Sequence, residues 1–262
     1  MGIIHLSGQH ALVCGGTQGI GRAVAHELAL LGASVTILAR DPRALDEARS
    51  TLPISAAQAH HALACDMSDT GSLAAAMTEL VTDRPVDILI NNTGGPSPGP
   101  AHEADTAAFL AAFTQHLIGF QTIVRAVVPG MKARKHGRIV NVISTSVKQP
   151  LPNLGVSNTI RGAVANWGKT LATELGPFNI TVNNVLPGAT STDRLKAIIQ
   201  AKASRTGSTE EEVRTEMLAE IPLRRFAEPA EIAAAVAFLA GPTAAYINGI
   251  NLPVDGGRTA CL

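Results

Sequence analysis

The sequence predicts an α/β protein of the doubly wound Rossmann type, with about seven mostly parallel strands and helices on both faces. Two observations carry this. Apolar runs of strand length alternate along the chain with helix-length amphipathic segments. A glycine-rich turn joins the first strand to the first helix. There is no internal repeat or linker-like stretch, and 262 residues suit one large α/β domain better than two. Residues 1–262 are therefore expected to form one domain.

Taken in order, Ala11–Cys14 reads as a strand and Gly19 to Leu31 as a helix, with Gly32 as its stop. Val35–Leu38 is the second strand, and Pro42 opens a helix to Ser50. A third strand ends at Ala64-Cys65 and leads into a helix over Ser68–Val81. Val86–Ile90 precedes a long helix from Glu103 to Met131, and Arg138–Ile143 precedes one over Ser157–Leu175. Ile180–Val185, a helix over Pro229–Leu239 and a last strand at Ile250–Val254 complete the series. The most polar and least periodic stretch, about 191–220, is expected to be a mobile lid.

The bulk numbers narrow the function. Hydrophobic residues make up 46% and charged residues 16%, which excludes a disordered chain. Lys plus Arg and Asp plus Glu both number 21, so no net field draws in nucleic acid or acidic lipid. Cys14, Cys65 and Cys261 are scattered, which suits a reducing cytoplasm better than a disulfide framework or a zinc site. No metal site is expected, since the histidines, His60-His61 included, lack metal-like spacing with Asp or Cys. The N-terminus, Met1 to Leu6, has no signal-peptide or myristoylation pattern. Ile232 to Val254 carries no charge, but Gly241-Pro242, Asn248 and Asn251 break it into helix, turn and strand rather than a membrane span.

Chemistry starts at the first turn, Cys14-Gly15-Gly16-Thr17-Gln18-Gly19-Ile20-Gly21. Glycines there allow a sharp turn and a close approach to a pyrophosphate, and the helix N-terminus offers free N–H groups. Further along stand Asp66, Asn91-Asn92-Thr93-Gly94, Asn183 with Pro187-Gly188, and Val254-Asp255-Gly256-Gly257. In this order and spacing the chain resembles the short-chain dehydrogenase/reductase family from about His10 to Gly257. The family usually has Thr where this chain has Cys14. The resemblance implies that Gly15, Gly19 and Gly21, with Thr17, Gln18 and Ile20 between and beside them, line a pyrophosphate. It implies Asp66 and Met67 at the adenine, Asn92 and Gly94 beside the adenosine ribose, and Pro187, Gly188 and Thr192 at the nicotinamide end. Asp66 also reads as a helix cap before Ser68.

The second strand decides which nicotinamide cofactor is expected. It ends Leu38-Ala39-Arg40-Asp41, with alanine where NAD-using members carry an acid. A guanidinium can grip a 2′-phosphate that a carboxylate would repel, so NADP(H) is expected over NAD(H). The other reading of Arg40 is a solvated residue paired with Asp41.

The catalytic positions have changed. The family uses Asn, Ser, Tyr and Lys, the last two as Tyr-x-x-x-Lys. By register, the serine is Ser144, Ser157 stands for the tyrosine, Arg161 for the lysine and His116 for the asparagine. The chain resembles a β-ketoacyl-carrier-protein-reductase-like branch in which the tyrosine and lysine are replaced. A phenol titrates near about pH 10 and can be tuned down by nearby positive charge, whereas a serine hydroxyl needs a partner base. Arginine keeps the charge and can bind ribose hydroxyls, and it can also contact the cofactor, but it does not shuttle protons. His116, the one residue among these that is expected to titrate near neutrality, is either a replacement general acid or a hydrogen-bonded helix histidine. Ser157 is either a site residue or a helix N-cap.

Two functions are compatible with these residues. One is NADPH-dependent reduction of a small carbonyl compound with a rebuilt proton path. The other is an inactive nucleotide-binding sensor or a partner subunit of an active homologue. Small residues such as Ala163, Ala165 and Ala172, with the family's habit of packing these helices against copies, lead to an expected homotetramer.

Overall fold

The computed structural model describes residues 5–55 and 57–261, so the expectation about the extreme N-terminus falls on residues outside it. The strands are β1 (His10–Cys14), β2 (Ser34–Ala39), β3 (His61–Ala64), β4 (Ile88–Asn91), β5 (Gly137–Val142), β6 (Ile180–Pro187) and β7 (Asn251–Val254). They form one sheet in the order β3-β2-β1-β4-β5-β6-β7, with every pairing parallel. The chain runs outward from β1 to β3, then crosses back to β4. The switch point between β1 and β4 opens a crevice at the carboxyl ends of the strands, where such sheets bind ligands.

Helices α1 (Gly19–Leu30), α2 (Pro42–Ser50), α3 (Thr70–Asp83), α4 (Thr106–Phe113), α5 (Gly119–Arg134), α6 (Gly155–Leu175), α7 (Asp193–Thr206), α8 (Glu210–Ala219) and α9 (Pro229–Ala240) link and cover the strands. The sheet divides the core in two. Val24, Leu28, Val236 and Ala237 pack with Val13 and Ile37 on one face, and Met77, Phe120, Ile123 and Val164 pack with Leu12 and Leu89 on the other. Parallel strands buried on both faces read as continuous apolar runs, which is why their positions were legible.

Three elements differ from expectation, each for a local reason. The third helix starts at Thr70 because Asp69, not Asp66, caps it by accepting from Ser72 N. The long helix starts at Thr106, capped by Asp105, and a π-turn at Thr114–Ile118 interrupts it before α5. The polar stretch over 191–220 is a helix pair. Leu195, Ile199 and Ala203 form one apolar stripe that packs on Val213, Ile221 and Phe226, and Thr209 with Glu212 closes a capping box on α8.

The uncharged stretch from Ile232 contributes to α9 and, after a turn, β7. Among the described residues one helical run, Thr106–Arg134, is long and apolar enough to cross a membrane; in this fold it packs on α3 and α6.

An asparagine ladder crosses four strands in register. Asn91 Nδ2 donates to Asn141 Oδ1, Asn141 Nδ2 to Asn184 Oδ1, and Asn184 Nδ2 to Asn251 Oδ1, each at 2.8 Å. Gly168 on α6 makes room for it, since a Cβ there would lie 2.9 Å from both Asn141 Nδ2 and Asn184 Oδ1. Asn183 ties β6 to the chain before β7, donating to Ile247 O and accepting from Ile250 N.

Candidate active site

A cleft of about 1290 Å³ runs along the carboxyl ends of the strands. Every residue expected at the cofactor borders it: Gly15, Thr17, Gln18, Gly19, Ile20, Gly21, Arg40, Asp66, Met67, Asn92, Gly94, Arg161, Pro187, Gly188 and Thr192. Ser144 and Ser157 border it too, whereas His116 does not.

The first turn has the shape of a phosphate cradle. Gly15 and Gly19 hold φ of 59° and 53°, and a Cβ on Gly21 would stand 2.0 Å from Gly15 O. Asn92 braces the turn, its Nδ2 donating to Cys14 O and Gly15 O, both at 3.2 Å. Its amide therefore shapes the loop. Cys14, where the family usually has Thr, is fully buried, and burial pushes its thiol up to about 12, so it stays a neutral packing group. At the far end a Cβ on Gly188 would meet Asp255 Cα at 2.7 Å. The Asp255-Gly256-Gly257 turn thus supports the cleft wall by close backbone packing.

At the end of β2, Arg40 is exposed and approaches Asp66 at 3.8 Å. Asp41, its partner in the other reading, instead caps α2 by accepting from Arg43 N and Ala44 N. Asp66 caps a turn, with Oδ1 accepting from Ser68 N and Ser68 Oγ; these bonds and, more weakly, Arg40 hold its carboxyl below the usual range.

Three of the four positions expected to be catalytic, Ser144, Ser157 and Arg161, border the cleft. Ser144 Oγ accepts from Ser146 N at 3.1 Å and caps the short turn after β5. Ser157 is in the first turn of α6, whose N-cap position is Leu154 with no side-chain capping bond, so Ser157 is not the helix cap. Among the described residues its side chain has no hydrogen-bond partner, which leaves its hydroxyl to the cleft. Arg161, one turn on, is 7% exposed. Its Nη1 donates to Val142 O at 3.2 Å, while its Nε is buried without a partner. Burial, with Arg194 nearby, lowers it to about 10, so it remains a cation at neutral pH.

His116 is in the π-turn with no exposed surface, its ring edge-on to Phe120. Neither ring nitrogen has a hydrogen-bond partner of good geometry, although the nearby Gly94 backbone favours the protonated form. Burial, and secondly the charge of Arg161, drive its pKa down to about 3. This corrects the expectation that His116 titrates near neutrality: a sealed imidazole beside a cation pays twice for a proton. The alternative, an ordinary hydrogen-bonded histidine, is not met either. Tyr246, the chain's single tyrosine, is fully exposed near β7 and does not border the cleft.

Sequence reasoning passed over Arg194, in the first turn of α7, and Gln115, whose Nε2 donates to Thr93 Oγ1 at 2.9 Å. Both border the cleft. The only signal for Arg194 was its place two residues after Thr192, in a stretch treated as a lid.

A glycine cradle at a helix N-terminus, at the switch point of a parallel sheet, defines a dinucleotide-binding oxidoreductase of Rossmann type. A family model described as "Enoyl-(Acyl carrier protein) reductase" matches residues 15–259. The NADPH-dependent reductase BacG of Bacillus subtilis is 30% identical over 254 residues, 96% of this chain and 98% of that protein. The 3-oxoacyl-[acyl-carrier-protein] reductase FabG of Vibrio cholerae is 33% identical over 258 residues, 97% of this chain and 98% of the relative. The crystal structure of L-sorbose reductase from Gluconobacter frateurii, complexed with NADPH and L-sorbose, superposes with a TM-score of 0.92 at 30% identity, covering 99% of each chain. The chain belongs to the short-chain dehydrogenase/reductase family of oxidoreductases.

Proposed function

We propose that this protein is an NADPH-dependent reductase of a small carbonyl compound, working with a non-standard catalytic site. The carrying observation is continuity: one cleft joins the glycine cradle to Ser144, Ser157 and Arg161. Arg40 at the end of β2 supports NADP(H) over NAD(H), because it has only a distant carboxylate partner and can turn to a 2′-phosphate.

NADPH, which the Gly15–Gly21 cradle and Arg40 would hold, would supply the hydride for the carbonyl carbon. This chain's residues handle the oxygen. The hydroxyls of Ser144 and Ser157 polarise it, and the Arg161 cation stabilises the negative charge that develops there. No histidine borders the cleft, so Ser157 passes a proton to the oxygen and regains one from cleft water. That relay lacks a phenol, and positioned acid–base catalysis contributes about 10²–10⁴-fold, so turnover is slow. The test is loss of the reduced-nicotinamide absorbance with a panel of ketones and aldehydes. Faster turnover with NADH than with NADPH overturns the cofactor assignment.

A second reading, nucleotide binding without turnover as a sensor or partner subunit, is favoured by the sealed His116 and the missing phenol. It predicts NADPH binding with no absorbance change across the whole panel. We further propose a cytoplasmic homotetramer of one-domain subunits, with the α7–α8 helix pair as a mobile lid. Leu110 and Ile118 on one side, and Phe238, Tyr246 and Ile250 near β7, are exposed apolar side chains that assembly would cover. Ala165 and Ala172 are buried in the protomer's own core and are not available to an interface. Sedimentation as a monomer at micromolar concentration would refute the tetramer.

A further inference from the structure

Two arginines converge at the substrate end of the cleft with no acid between them. The position a Cβ would take on Gly95 lies 3.3 Å from Arg194 Nη2 and 3.7 Å from Arg161 Nη2. Among the described residues neither guanidinium forms an ion pair; Arg194 donates only to Pro96 O and Arg161 only to Val142 O. Of the other charges on this wall, Lys202 pairs with Glu216 at 2.8 Å and Arg258 with Glu220, while Arg205, in the last turn of α7, borders the cleft without an ion pair among the described residues and is not one of the two guanidinium groups that meet at Gly95. Asp193 also borders the cleft but bonds neither arginine. Arg161 is more than nine-tenths buried and its Nε has no partner.

A buried cation without a counterion is costly, and a second one beside it raises the cost, so the pair is expected to be completed by an anion. With the cofactor's pyrophosphate assigned to the glycine cradle, its 2′-phosphate to Arg40 and only neutral ribose hydroxyls to Arg161, no cofactor anion is assigned to this pair. We propose that Arg161 and Arg194 together bind a carboxylate on the substrate, which makes the substrate a small keto acid rather than a neutral ketone. The planar fork of each guanidinium suits a carboxylate. Held there, the carboxylate directs the carbonyl towards Ser144 and Ser157. This rests on the reductase reading and adds its substrate class.

The test is calorimetric titration of the NADP⁺-loaded protein, which has no hydride to give, with acetoacetate and with methyl acetoacetate. Charge-assisted hydrogen bonds predict that acetoacetate binds about ten- to a hundred-fold more tightly. Arg194→Gln, at an accessible helix position, should abolish the difference, and Arg194→Lys should recover part of it. Equal affinity for acid and ester in the wild type, or a preference that survives Arg194→Gln, overturns the proposal. Displacement of acetoacetate by inorganic phosphate at lower concentration overturns the carboxylate assignment. Failure of NADP⁺ to bind would refute the reductase reading instead, and the same titrations on nucleotide-free protein would still read the arginine pair.

Discussion

Acid should destabilise this protein through His116, and His116→Asn should remove that part of the effect. The histidine has a pKa of about 3 when folded against an ordinary 6.5. The sign follows from the direction of the shift. Below 6.5 the unfolded chain takes up a proton that the folded site refuses, so this stability is complete above 6.5 and falls as the pH is lowered towards 3. Each pH unit in that window costs about 1.4 kcal/mol, so at about pH 5 the loss is roughly 2 kcal/mol. The figure depends little on the folded value so long as that value is well below 5. The assay is urea unfolding of wild type and His116→Asn at about pH 7.5 and about pH 5, read as the difference between the two changes in stability. His10, His61 and His136 are also shifted down, chiefly by burial, and their contribution cancels in that difference. The cost of the cavity cancels too, because it is present at both pH values. Equal changes in the two proteins would mean that the folded site accepts the proton, which would return His116 to the list of acids.

The remaining predictions concern the cofactor, the sheet and the chemistry. Arg40→Ala should cut the NADPH-over-NADH affinity ratio by about ten-fold, the low end for a charge-assisted contact because the side chain is exposed; fluorescence titration reads it, and an unchanged ratio refutes the role. Asn141→Ala should cost about 2–5 kcal/mol in urea unfolding, because it leaves Asn91 Nδ2 and Asn184 Oδ1 buried without their partners; a loss under about 1 kcal/mol would show that the ladder is not coupled in this way. Ser157→Tyr with Arg161→Lys should raise turnover of β-keto esters by about 10²-fold or more, since the ring would project into the cleft; no gain, with NADPH still bound, would show that the family's geometry is not recovered.

Strand and helix positions were legible because burial on both faces writes apolar runs, and because Asp41-Pro42 and Glu228-Pro229 announce helix starts. The helix pair within 191–220 was not legible because its apolar stripe, Leu195, Ile199 and Ala203, is thin and diluted by charge. The asparagine ladder was invisible for a different reason. Asn91, Asn141, Asn184 and Asn251 are spread over 160 positions and meet only through strand order. Ser157 and Arg161, found by register against Ser144, border the same cleft because that spacing is set by β5 and the start of α6. The same register brought His116 to the family's asparagine position but could not say that the ring would be sealed. Its titration depends on Arg161, 45 positions away, and on the burial of the π-turn, neither of which is encoded nearby. Arg194 escaped notice for the same reason: its meaning comes from its nearness to Arg161 across Gly95. At the catalytic positions the failures therefore gather where charged or titratable groups from distant parts of the chain meet. Local pattern reports which residues are buried, whereas the cost of burying a charge is settled by groups the fold brings from far away. In this site that cost keeps His116 neutral, and the fold brings Arg161 and Arg194 together at Gly95 with no ion pair to either among the described residues, so a family position for proton transfer carries a buried cation, the basis of the anion site proposed above.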